Sequence, residues 1–208
     1  MGSPDLRPVV QAHTVLQAFH RQVKVLWDVV REQLARPMEA RSFRDLDPKS
    51  YVRYPADSLG SPQDWAPKWL VRFYSESTPT ETAQADVSHV DHRILFLWIA
   101  AAVGEELPDF TEPECIIGLA HLTDPENVAL SDWNSARYGL WADDGIDTST
   151  IVAGLEWTAG RMARSKHKGG GWWLARRVLL ADIESDKDIE NKLTDPLREK
   201  FNEKFPAE

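Results

Sequence analysis

A chain of 208 residues, 42% hydrophobic and 27% charged, has the make-up of one folded domain spanning 1–208 rather than of a disordered protein. A formal net charge of −9 argues against nucleic-acid binding across the whole surface, and the one cysteine, Cys115, excludes an internal disulfide or an all-cysteine metal site. The longest apolar run, Ile94 to Val103, is about half a bilayer span, and no basic segment precedes an apolar core at the N-terminus. Neither a membrane-spanning helix nor a secretory signal is expected, and the cytoplasm is the expected compartment.

The chain opens on a predicted helix over 6–36. Val9, Ala12, Leu16, Phe19, Val23, Leu26 and Val30 follow a 3-4 spacing that puts them on one stripe, Pro8 suits the first turn, and Pro37 ends the pattern. His13, His20, Trp27 and Leu34 run beside it at seven-residue spacing. Such a wide face either packs wholly on a core or pairs in part with a partner or a second copy. His13 and His20 stand about 10 Å apart along the axis, too far to share a metal.

Irregular chain is expected from Met38 to Pro67, with one short strand at Tyr51, Val52 and Tyr54. The body, 50–184, then holds predicted strands at Trp69–Tyr74, Arg93–Ala101 and Cys115–Leu122. The second of these hardly alternates, as a strand buried on both faces does not. Ile151, Val152, Leu155, Thr158, Ala159 and Met162 keep helical spacing and predict a crossover helix over 148–163, capped by Asp147 or Thr148. Trp172 to Ile183 reads as an inner strand. Ser185 with Asp188 forms a capping box that opens a C-terminal helix over 185–204, which Pro196 should break or restart, with Thr194 as a second cap. This order defines an α+β domain: a mainly antiparallel sheet of four to five strands, a long N-terminal helix, one crossover helix and a C-terminal helix.

Three segments have the residue types of a site. The segment from Arg161 to Arg177 carries six Lys or Arg and no acid, while the rest of the chain carries 18 basic against 33 acidic residues. Arg161, Arg164, Lys166, His167 and Lys168, with Gly169, Gly170 and Gly171 and the adjacent Trp172 and Trp173, combine cations, close-approach glycines and stacking surfaces, as an anionic-ligand or partner site does. The predicted order helix–glycines–strand is the reverse of a phosphate loop, and it favours a plainer account: basic residues and a glycine cap at a helix C-terminus. A cap needs one glycine, however, and there are three.

His89, Asp91 and His92 have the donor types of a metal site, with His121 joining only if its strand lies alongside. Polar loop histidines are the plainer reading. Asp143, Asp144 and Asp147 make an acidic turn, but an EF-type calcium loop would put glutamate where Gly154 stands. Cys115, inside an apolar strand, reads as core rather than nucleophile.

Two functional readings follow. The first is a non-catalytic interaction protein that binds a protein partner, or itself as a homo-oligomer, through Trp-rich surface and the N-terminal helix. Nine tryptophans and a helix longer than one small core needs motivate it. The second is a nucleic-acid or nucleotide-binding protein that uses 161–177, and a metal-dependent enzyme if His89, Asp91 and His92 hold an ion. The case for catalysis is thin: no nucleophile elbow or paired-carboxylate motif is present.

Overall fold

The computed structural model describes residues 6–37, 41–45, 51–53, 69–77, 93–100, 112–122, 146, 148–152, 154, 156–162 and 171–206. These form helix α1 (Arg7–Ala35), strands β1 (Ser42–Asp45), β2 (Tyr51–Arg53), β3 (Trp69–Ser77), β4 (Arg93–Ala100), β5 (Glu114–Leu122), β6 (Thr158–Met162) and β7 (Gly171–Leu179), and a C-terminal helical run. That run is α2 (Asp186–Ile189), a π-helical turn (Glu190–Thr194) and α3 (Asp195–Lys204). The seven strands make one sheet in the order β1-β3-β4-β5-β7-β6, with β2 beside β1 along the same edge of β3. Every pairing is antiparallel, so the fold is α+β with an antiparallel sheet.

Period-two alternation sorts the strand side chains into two layers. Leu70, Tyr74, Leu95, Leu97, Ile99, Cys115, Ile117 and Leu119 face α1 and α3, whose Leu26, Val30, Leu34, Leu197 and Phe201 complete that core. The opposite face carries Val71, Phe73, Ile94, Phe96, Trp98, Ile116 and Trp173, covered by Ile146, Ile151 and Met162. Both faces are therefore dry, and β4 is buried from Ile94 to Ala100, as its unbroken apolar run requires.

The expected crossover helix over 148–163 does not exist. Among the described residues of this stretch, Thr148–Thr150 form a 3-10 turn and Thr158–Met162 an edge strand paired with β7. Gly154 sits at φ 119°, a backbone state no right-handed helix contains, and the alternating burial of Thr158 to Met162 shows a period of two. Seven strands stand where four to five were expected. The main omission was β1, whose single buried apolar residue, Phe43, meets Phe201 edge-on at 4.8 Å.

Two further expectations change in detail. The inner strand ends at Leu179, and Leu180–Asp182 form a 3-10 turn. Of the two alternatives at Pro196 the structure has the restart: the α-helix begins again at Asp195 after the π-helical turn. The proline occupies the first turn of α3, where its missing N–H costs nothing. Thr194 does not cap: its hydroxyl donates to Gln33 Oε1 at 2.8 Å. The capping box is present, with Asp188 N–H donating to Ser185 Oγ at 3.2 Å.

The end of α1 is fastened to the C-terminal run by polar groups. Gln33 Nε2 donates to the Asp186 carbonyl at 3.0 Å, and Arg198 donates to the carbonyls of Gln33 and Arg36. The Gln33 carbonyl also accepts the Arg36 N–H, so the guanidinium adds a second donor there while matching the negative end of the dipole. The C-terminal half of α1 is held rigidly, which fixes the direction in which its N-terminal half leaves.

Candidate protein-binding surface

The basic glycine segment is a hairpin, not a helix end. Its strands are β6 and β7, with Arg161 opposite Trp172 and Met162 opposite Gly171. The dipole account of its charges falls with the missing helix. Arg164, Lys166, His167, Lys168, Gly169 and Gly170 lie outside the described residues. Gly171 has its own reason: a Cβ there would strike the His121 carbonyl and come within 2.6 Å of Met162 Cε. That glycine is a close-approach residue between three strands.

Two of the six basic residues are structural. Arg177 is buried and pairs in bidentate fashion with buried Glu114, with Nη2 to Oε1 at 2.7 Å, and it also donates to the Ile151 carbonyl. Arg176 donates to the Lys192 carbonyl and lies 5.5 Å from the Trp157 ring centroid. Arg161 is exposed. With Trp172, Trp173 and Lys204 it lines a shallow depression of about 420 Å³ at the sheet edge.

The adjacent tryptophans leave opposite faces of β7. Trp173 is core, its ring lying over Gly160. Half-buried Trp172 stacks on Phe205 at 5.7 Å with an 18° interplanar angle, and His121 sits against both rings at 5.7 and 5.5 Å. β5 does lie beside β4, with His121 opposite Arg93. His89, Asp91 and His92 lie outside the described residues, as do Asp143, Asp144 and Asp147. Among the described residues, no three of His, Cys, Asp and Glu converge on a point that could hold a metal ion. Trp27, Trp98 and Trp173 are buried, so they contribute packing rather than binding surface.

The least satisfied apolar surface belongs to α1. Its buried positions are Val23, Leu26, Trp27, Val30, Gln33 and Leu34, and none precedes Val23. The same stripe continues upstream through half-buried Phe19 and Leu16 to exposed Ala12 and Val9, so α1 grows barer over the roughly 24 Å of residues 7–22. Val9 is 58% exposed and Val15 64%. At the base of this barer half an open groove of about 640 Å³ runs between α1 and the segment after β7. Phe19, Leu26, Leu180, Ile183, Glu184 and Asp186 are among its lining residues.

Charge separates the two walls. Residues 6–27 contain Arg7, Arg21 and Lys24 and no acid, whereas 180–190 contain five acids and one lysine. The groove was hidden in the sequence because Trp172–Ile183 looked like one strand. Asp182, Glu184 and Ser185 were the signal that the chain had already left the sheet. Among the described residues no helix is long and apolar enough to cross a membrane, so α1 does not project as a bilayer anchor of that kind.

No family model matches this chain, and neither does any curated protein or solved structure.

Proposed function

We propose that this is an interaction protein that acts by binding, and that its binding element is the projecting half of α1 with the groove at its base. One observation carries the reading: the stripe that buries Val23 to Leu34 in the core continues upstream through half-buried Phe19 and Leu16 to exposed Ala12 and Val9. An isolated helix of about four turns is marginal in water, and a rigidly anchored apolar stripe gains most from a partner that covers it. The tryptophans carry less of the reading than composition suggests, since those that are buried do core work.

The test is a photoreactive amino acid at Val15, with exposed Glu199 on α3 as control, irradiated in the cells that make the protein. Discrete adducts at position 15 and none at position 199 are expected. No adduct at position 15, or the same smear at both, overturns the reading.

A second reading has its own support. With a strand at Thr158–Met162 where a helix was expected, Arg161 and Lys204 flank the depression beside Trp172, the residue types that bind phosphates and stack on bases. Arg161→Glu with Lys204→Glu should then abolish a salt-sensitive affinity for single-stranded nucleic acid or nucleotides. Equal binding by the variant and the unmodified chain removes this reading.

A further inference from the structure

We infer that the groove is filled by the projecting half of α1 from a second copy of this chain, exchanged reciprocally about a two-fold axis. The inference rests on the binding role proposed for α1 and names its partner.

Charge points to self-pairing. The projecting helix is basic and apolar, with Arg7, Arg21 and no acid in residues 6–27. The groove is apolar at its floor, with Leu26, Leu180 and Ile183, and acidic on its far wall, with Glu184 and Asp186. Each copy thus carries both a basic apolar helix and an acidic apolar receptor, which is the requirement for an isologous contact. A copy's own helix cannot fill its own groove, because it forms one of the groove's walls.

The spacing supplies the register. Val9, Leu16 and Val23 alternate with Ala12, Phe19 and Leu26 in a 3-4 pattern. Two such helices lying antiparallel place Leu16 on the partner's Phe19 and exposed Val10 on its exposed Val25, by one symmetry axis between Leu16 and Phe19. Phe19 and Val25 line the groove, so this register delivers the first turns of each helix into the other's receptor. Arg7 then lies beside the acidic wall. The groove takes several side chains rather than one, in keeping with Leu6, Val9 and Val10, which are 61%, 58% and 65% exposed.

Sedimentation equilibrium of the purified full chain over a wide concentration range tests this. A reversible monomer–dimer equilibrium is expected, ending at twice the 23.6 kDa of one chain. Leu16→Glu, which puts two like charges beside the axis, should raise the dimer dissociation constant at least about a hundredfold. Its circular dichroism should not change, because Leu16 lies on the projecting half. Arg7→Glu and Glu184→Lys should each weaken the homodimer about tenfold, since a two-fold contact meets each substitution twice. Mixed one to one, these two variants have opposite charges at both contacts and should pair as tightly as the unmodified chain.

A chain that stays monomeric at every concentration overturns the inference, as does a mixture no tighter than its components. If Val15 then cross-links to a different protein, the binding role of α1 stands and only the partner changes. If it cross-links to nothing, both fall.

Discussion

Glu114 and Arg177 hold a bidentate ion pair on the sheet face away from α1, with both side chains almost wholly removed from water. Replacing Glu114 with Ala leaves a guanidinium buried without its counter-charge. Breaking one partner of such a pair costs about 3–5 kcal/mol, most of it the penalty of the stranded charge rather than the worth of the pair. For a chain of this size that corresponds to a fall in Tm of roughly 6–20 °C. Replacing both, as Glu114→Leu with Arg177→Met, removes both desolvation penalties together. It leaves the Ile151 carbonyl without its donor from Arg177, a loss of about 1–3 kcal/mol. The double variant should therefore be more stable than Glu114→Ala. Urea unfolding followed by tryptophan fluorescence measures all the variants, with an unchanged m-value as the check that the denatured states are comparable. A double variant that loses as much as the two single losses added together would refute the reasoning, because it would mean that the two charges do not compensate each other.

Three further outcomes follow from local geometry. Gly118→Ala should cost about 1–3 kcal/mol and more than Gly160→Ala, because the new Cβ meets the Leu174 carbonyl as well as the Phe96 ring, whereas at Gly160 it meets only the Trp173 ring, and a backbone cannot step aside as a ring can; equal Tm losses in the two would count against this packing. Ser185→Ala should lower Tm by about 2–4 °C at pH 7 through loss of the N-cap of α2. The Ser185 hydroxyl bond, with smaller help from the Glu184 amide and Lys192, holds the Asp188 carboxyl below its ordinary value. A folded value below the unfolded one means that this stabilisation is complete above about pH 4 and is lost as pH falls further, so the gap between variant and parent should close in acid. A gap that widens there would contradict the assignment. Finally, complete burial pushes the Cys115 thiol well above its usual range, so a thiol reagent should label the native protein only at the rate of global unfolding. Rapid labelling without denaturant would mean that β5 is accessible.

What could be read from the sequence was whatever a single periodicity decided. Trp69–Tyr74, Arg93–Ala101 and Cys115–Leu122 are apolar runs long enough to exclude any reading but inner strands, and the structure sets them as three consecutive neighbours. The stripe of α1 was equally plain, but a stripe reports which face is apolar and not what covers it. What failed was decided by contacts between distant residues. Thr158–Met162 fits a helix as well as a strand when read alone, and only pairing with β7 and the positive φ of Gly154 choose the strand. β1 has one apolar side chain in four residues. Its place is fixed by the Asp45–Arg72 ion pair, the Phe43–Phe201 contact and the Arg41–Glu76 pair at 3.2 Å, none of which leaves a local trace.

The same distinction bears on the candidate site. The segment 161–177 stood out because its composition is odd, yet the structure accounts for much of that oddness by packing: Arg177 neutralises Glu114, Arg176 spans to Lys192, Gly171 lets three strands close and Trp173 fills the space over Gly160. The groove has no unusual composition at all. It exists because the chain leaves β7 at Leu179, turns through Leu180–Asp182, and passes Ile183 and Asp186 alongside α1 where that helix enters the core. A surface made by two ordinary segments brought together can be found only after folding. Among the described residues nothing covers Val9 and Ala12, the first turns of a stripe that is core from Val23 onwards, and the binding role proposed for α1 would account for that exposure.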